Sequence, residues 1–262
     1  MRKITEGIRT EAGGSYHEGY VKRPAGREHL TTGRNVLHFT GTGTGDRPEE
    51  GRGMAKLLYV EASPRKERSA SIEVAKAFVE EYRKTHPGGT VDTLDLWATV
   101  LPEFDGEVID AKYAILHGQP HTPGQKAAWK AVEGVIDRFK GADKYLFSLP
   151  MWNFGIPYKL KHYIDIIVQP TYTFSFSPKE GYKGLVTGKK AAVVYARGGA
   201  YPAGSGGEAY DLQKRYMEQF LGFIGFTDIT SIVIEPTLAA PESVKKTKSE
   251  ATARARSAAA AF

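Results

Sequence analysis

The stretch Asp143-Lys144-Tyr145-Leu146-Phe147-Ser148-Leu149-Pro150-Met151-Trp152-Asn153-Phe154-Gly155-Ile156-Pro157-Tyr158 decides the fold. Its first seven residues form a strand-like apolar run, residues 150–154 an aromatic loop, and Pro157 starts a helix expected over 157–168. A strand that ends in such a loop and passes into a Pro-started helix is the building unit of an open α/β sheet. These sheets bind ligands outside the carboxyl ends of their strands. Aromatic planes and an Asn beside loop amides suit a flat ligand with a polar edge.

The same alternation extends on both sides. Strands are expected at 56–62, 90–96, up to 149, 190–196 and 228–235. Helices are expected at 71–86, 124–140, 157–168, 208–225 and 242–260, the last rich in Ala, Lys and Arg. Residues 102–123 read as irregular, punctuated by Gly106, Gly118, Pro120 and Pro123. Tyr172, Phe174 and Phe176 alternate with Thr173 and Ser175, which reads as a short extended arm with aromatics on one face. Short apolar strands separated by helices indicate a parallel sheet covered on both faces. The reading is therefore a doubly wound, five-stranded α/β sheet of order 2-1-3-4-5.

Residues 1–53 lack any sustained apolar period and contain Gly-Thr-Gly-Thr-Gly at 41–45. A segment that cannot bury apolar surface cannot offset its ordering entropy, so disorder is expected there. Two readings fit: an upstream start assigned too early, or a leader segment, with the domain occupying 54–262.

Composition narrows the class. The 262 residues carry 36 Lys+Arg against 30 Asp+Glu, a formal charge of +6 that suits an anionic ligand such as a nucleotide phosphate. The basic residues are scattered along the chain, which argues against nucleic acid. With 0 Cys there is no disulfide, thiolate nucleophile or Cys-ligated metal. No apolar run approaches the ~20 residues of a membrane span, so a cytoplasmic protein without a membrane partner is expected. His117 and His121 flank Gly118 and Pro120, which break the helix a paired metal site would need; no metal is expected. His162 falls in the helix after the aromatic loop and reads as a surface or core-edge residue.

Three loops follow the first, third and fourth strands and would converge on one crevice. The first, 63–71, offers hydroxyls on Ser63, Ser69 and Ser71, with Ala70 between them and Arg65 and Arg68 nearby. At a helix N-terminus these suit a phosphate, although Ser69 or Ser71 could equally cap the helix. Neither a Gly-x-Gly-x-x-Gly nor a Walker sequence is present; Gly184–Lys189 resembles the latter superficially but precedes a strand. The second loop is Pro150, Met151, Trp152, Asn153 and Phe154, whose amides could meet the edge of an isoalloxazine while Met151 or Trp152 lies against the ring. A hydrophobic turn closing the core is the alternative. The third, Arg197-Gly198-Gly199 after Ala196, gives backbone that can approach the ring's pyrimidine edge, or is an ordinary strand-to-helix turn.

From Met54 onward, about four-fifths of the sequence, the chain resembles the FMN-dependent NADH-azoreductase family. The residues that carry the likeness are Ser63, Ser69-Ala70-Ser71, Pro150–Phe154, Arg197-Gly198-Gly199 and Phe220–Gly225. The resemblance implies a flavodoxin-like fold and a homodimer that binds FMN and takes electrons from NADH or NADPH. It implies a ping-pong cycle in which the donor leaves before a quinone or azo compound enters. It assigns Ser63 and 69–71 to the FMN phosphate, 151–154 to the isoalloxazine and 196–199 to its pyrimidine end. The family often has Tyr where Trp152 stands and Ser where Ala196 stands; the first change keeps an aromatic plane and the second leaves that contact to backbone. Phe174, Phe176 and Phe223 are expected to wall the substrate, in part across subunits, or to serve as plain packing. The flavin does the chemistry, so no side chain is expected as an essential acid or base. An NAD(P)H:flavin reductase and a flavodoxin-type electron carrier remain alternatives.

Overall fold

A computed structural model describes residues 55–262 of the chain. The expectations for residues 1–53 lie outside the described residues. The main sheet contains β1 (Lys56–Glu61), β2 (Thr90–Asp95), β3 (Lys144–Pro150), β6 (Lys190–Ala196) and β7 (Asp228–Ile234). All neighbours are parallel, and the spatial order is β2-β1-β3-β6-β7. Numbered along the chain this differs from 2-1-3-4-5, because two further strands, β4 (Phe174–Ser177) and β5 (Gly181–Gly184), intervene. They form a separate antiparallel hairpin, Phe174 opposite Gly184 and Phe176 opposite Tyr182. The sequence shows only the first of these strands, because the second, Gly181-Tyr182-Lys183-Gly184, has no apolar period of its own.

Helices cover both faces. Along β1, Leu57 and Tyr59 face α1 (Ala70–Thr85) and α6 (Pro241–Ala260), whereas Leu58 and Val60 face the opposite core. That opposite core is closed by α2 (Gly106–Leu116), α3 (Pro123–Lys140), α4 (Tyr158–Ile167) and α5 (Leu212–Ile224). The period-two alternation of a strand buried on both sides produces this division. Ala251, Ala255 and Ala259 are spaced four apart on α6 and are fully buried; their small side chains let it lie close against the sheet and α1.

Two further expectations need correction. The segment 102–123 is not wholly irregular: Asp105 caps α2, its side chain accepting from the Val108 amide at 3.2 Å. The helix expected from 208 begins as a 3-10 turn over Gly207–Tyr210, and α5 starts only after Asp211, which caps it through the Lys214 amide at 2.9 Å. In the first stretch a polar cap outweighs the Gly and Pro that made it read as irregular; in the second the Asp211 cap sets the start of α5 later than periodicity places it.

Candidate functional site

A crevice of about 330 Å³ opens at the carboxyl ends of β1, β3 and β6. The serine loop forms one end, through Ser63, Arg65, Arg68, Ser69 and Ala70. Pro150, Met151 and Trp152 form its middle, and Ala196 and Gly198 its far side. These are the positions where parallel order places the three strand-following loops next to one another.

The serine end is built around the start of α1. Ser69 is its cap, accepting from the Ile72 amide at 3.5 Å, and the Ser69 and Ser71 hydroxyls are 3.1 Å apart. Ser63, Ser69 and Ser71 are all buried. The Ala70 and Ser71 amides precede any intrahelical acceptor and meet no other acceptor among the described residues. Arg65 and Arg68 are exposed, and their guanidinium groups have no ion-pair partner among the described residues. Free amides, helix dipole and two unspent cations are the groups an anion would need.

Lys66 fixes the shape of this loop. It has a φ of 49°, in the left-handed region, and its ammonium lies 2.6 Å from Glu61 and 2.5 Å from Asp95. Burial works against the charged ammonium, but the bonds to Asp95 and Glu61 outweigh it and hold Lys66 above its ordinary pKa. Burial likewise works against the Asp95 carboxylate, yet Lys66 and the Trp97 amide carry its pKa below the ordinary value.

The middle loop is a tight turn. Trp152 and Gly155 exchange backbone hydrogen bonds at 3.0 and 2.9 Å around Asn153 and Phe154, whose φ values are 46° and 70°. Two positive φ values in succession suit a type I′ turn; Asn tolerates this and Phe does so only under strain. The turn leaves the Asn153 and Phe154 amides without a protein acceptor among the described residues and leaves Trp152 and Phe154 partly exposed. Met151 is held by its amide to the Ala196 carbonyl at 2.8 Å.

In the third loop the Arg197 side chain is committed elsewhere. It is buried, with Nη2 2.8 Å from Asp211, Nη1 3.2 Å from Glu235 and Nε donating to Gln213 at 3.2 Å. Two carboxylates around a buried guanidinium make it a structural pin for the loop. A Cβ at Gly198 would sit 2.9 Å from Leu238 Cδ1, the tip of an exposed side chain that can move aside.

The crevice thus gathers Ser63, Ser69, Ala70, Pro150, Met151, Trp152, Ala196 and Gly198. Ser71 lies behind it, Arg197 and Gly199 do not line it, Asn153 lines a neighbouring depression, and Phe154 packs on Tyr210 at 5.4 Å. Phe174, Phe176 and Phe223 are not in its lining; together with Tyr182 they form an aromatic cluster between the hairpin and α5, with Phe174 and Phe223 4.9 Å apart. His162 donates to, or accepts for, no partner in the crevice; its Nε2 bonds the Pro102 carbonyl at 3.0 Å. The sequence reading misses Thr237 and Leu238, which follow β7, and Val244 and Lys248 of α6. Thr237 and Leu238 reach it because β7 lies beside β6, their amides donating to the Arg197 and Gly198 carbonyls at 2.8 and 3.1 Å, and Val244 and Lys248 because α6 folds back against α1, relations that no local pattern announces.

The flavodoxin-like fold family matches residues 55–259. An FMN-dependent NADH:quinone oxidoreductase of Nitratidesulfovibrio vulgaris is 52% identical over 204 residues, covering 78% of this chain and 97% of that protein. The chain belongs to this family. Family members of known structure superpose on it: an azoreductase from Bacillus anthracis str. Sterne has a TM-score of 0.74 at 31% identity, covering 80% of this chain and 100% of its own. An FMN-dependent NADH-azoreductase from Bacillus anthracis str. Ames Ancestor, solved in complex with FMN, gives 0.71 at 28% identity, covering 79% and 100%. The family's fold therefore extends over nearly all of the described residues.

Proposed function

We propose that this chain is an FMN-dependent oxidoreductase that takes two electrons from NADH and passes them to quinones and aromatic azo compounds. The observation that carries the reading is the pair of amides, Ala70 and Ser71, that have no acceptor among the described residues, at the start of α1 beside Arg65 and Arg68, which have no ion-pair partner among them, and at one end of an aromatic-lined crevice. A flat cofactor with a terminal phosphate matches that arrangement. Membership of the quinone oxidoreductase family supports the same cofactor and donor.

The residues divide the work. The α1 N-terminus, Ser63 and Ser69 bind the phosphate, with Arg65 and Arg68 supplying charge. Met151 and Trp152 would lie along a bound flavin, Ala196 and Gly198 would offer it backbone, and Leu238 would cover it from the β7 side. FMN held there would supply two-electron hydride chemistry between NADH and the acceptor. Donor and acceptor use one surface in turn, so the protein contributes position and water exclusion and no side-chain acid or base. The exposed aromatics Phe176, Tyr182 and Phe223 are covered in a homodimer, where they complete the wall of the partner's site.

Anaerobic addition of NADH to the purified, FMN-loaded protein tests the reading. Rapid bleaching of the flavin absorption, reversed by a quinone, is expected. Flavin that stays oxidised under NADH and NADPH would instead indicate an electron-carrier module.

A further inference from the structure

Lys248 of α6 lines the crevice at its serine end, together with Arg65, Arg68 and Ser69. It comes from the far end of the sequence, and the fold explains its arrival. α1 and α6 each follow a strand of the parallel sheet, β1 and β7, and pack on the same face of it. Their first turns therefore stand together at the carboxyl ends of the strands. On α6, Val244, Lys248, Ala251, Ala255 and Ala259 recur every three or four positions and share one face. The three buried alanines let the two helices close on each other. Ahead of them the side chains lengthen, and Lys248 reaches the first turn of α1, where its ammonium pairs with the Glu73 carboxylate.

This pair straddles two spaces. Glu73 lines a shallow groove between the helices and does not line the crevice, whereas Val244 and Lys248 line both. The Glu73 side chain is 53% exposed and that of Lys248 31%. A part-exposed ion pair of this kind has little net strength, and the lysine stem is flexible. A phosphate presents up to two charges and three strong acceptor oxygens against the single charge of a half-solvated carboxylate. It is the stronger partner for the same ammonium.

We propose that Lys248 is a third cation for the flavin phosphate: Glu73 holds its ammonium at the rim of the crevice, and on binding the ammonium turns from Glu73 to the phosphate. The exchange releases Glu73 to solvent and adds a charge-assisted contact from α6 to those supplied by the serine loop and α1. The cofactor then ties the two helices together. The inference rests on the proposed FMN reading for the identity of the anion.

Fluorescence titration of the full chain, freed of flavin, with FMN and with riboflavin, which lacks the phosphate, tests it. Lys248→Met should weaken FMN about tenfold and riboflavin by less than about twofold, the size of one charge-assisted hydrogen bond. Lys248→Arg should keep FMN within about threefold of the wild type. Lys245→Met removes the same charge from an exposed position in the groove, outside the crevice, and should leave both ligands within about twofold. The Glu73→Gln background separates contact from charge neutralisation. There Lys248→Met should still cost FMN severalfold; a cost that vanishes would mean that Lys248 only neutralises Glu73, and overturns the proposal. Equal weakening of FMN and riboflavin by Lys248→Met, or none, overturns it too. If the wild type prefers FMN to riboflavin and Lys248→Met keeps that preference, the role of Lys248 falls and the flavin reading stands. A wild type without that preference would remove both.

Discussion

The Lys66 ammonium lies 2.5 Å from Asp95 Oδ2, tying the serine loop to the carboxyl end of β2. Asp95 also receives the Trp97 amide, so one carboxylate joins the anion end of the crevice to the lining of the neighbouring depression. The sequence places these residues 29 positions apart on separate elements, and only the parallel pairing of β1 with β2 brings them together.

Removing this clamp should loosen the cofactor. Both ion pairs are part-exposed, so each is worth no more than about 1 kcal/mol. Lys66→Met is expected to weaken FMN about three- to tenfold in a fluorescence titration. Lys66→Gly relaxes the φ of 49° without restoring the clamp and should weaken FMN as well. Wild-type affinity in Lys66→Gly would mean that the ion pairs do not shape the loop.

Acid should destabilise the fold through Asp92. The Arg138 guanidinium, 2.7 Å away, together with Lys56 holds this carboxyl below its ordinary pKa against the opposing effect of burial. A depressed folded pKa stabilises the native state above the unfolded value of about 3.9, and that contribution disappears as pH falls through the folded value. Melting temperature should therefore drop more steeply below about pH 4 in the wild type than in Asp92→Asn. Parallel curves would exclude Asp92 as a contributor.

The turn at 152–155 separates stability from binding. Phe154 holds a φ of 70°, which costs a residue with a Cβ about 1 kcal/mol or more. Phe154→Gly should keep or raise the melting temperature, despite losing the ring contact with Tyr210, and should leave FMN affinity within about twofold because its side chain does not line the crevice. A clear loss of FMN affinity would mean that the Phe154 ring holds the flavin loop in place.

Two buried tyrosines should respond in opposite directions. The Tyr163 hydroxyl is fully buried without a hydrogen-bond partner among the described residues, whereas Tyr145 donates to the Phe139 carbonyl at 2.6 Å. Tyr163→Phe removes an unsatisfied group and should raise the melting temperature by about 2–4 °C, the effect of about 1 kcal/mol in a domain this size. Tyr145→Phe should lower it by a similar amount. Calorimetry of both variants is the check.

The legibility of this chain follows from the range of the forces involved. Runs such as Tyr145–Leu149 carry their burial in their own composition, so the sheet strands and most helices can be read locally. Asp105 shows where local reading stops, a polar cap that starts a helix inside a stretch dense in Gly and Pro, and Asp211 sets a helix start that periodicity alone puts earlier. The β4–β5 hairpin is half legible, since β5 is held by its partner strand and by α5 and carries no period of its own. Within the crevice, Ser63 and Trp152 are legible because each closely follows a strand, and Ser69 because it caps the helix after β1. Lys248 and Leu238 are not, because the first arrives through the packing of α6 on α1 and the second through the pairing of β7 with β6. Arg197 shows the reverse, a motif residue whose charge turns inward to Asp211 and Glu235.

The most direct test of the FMN crevice is a comparison of FMN with riboflavin, which lacks the phosphate, in Ser69→Asp. Asp caps a helix as well as Ser does, so α1 should start unchanged, while a carboxylate enters the anion site. The dissociation constant for FMN should rise at least about tenfold and that for riboflavin by less than about twofold. Equal weakening of the two ligands, or undiminished FMN binding, would contradict a phosphate held at the start of α1.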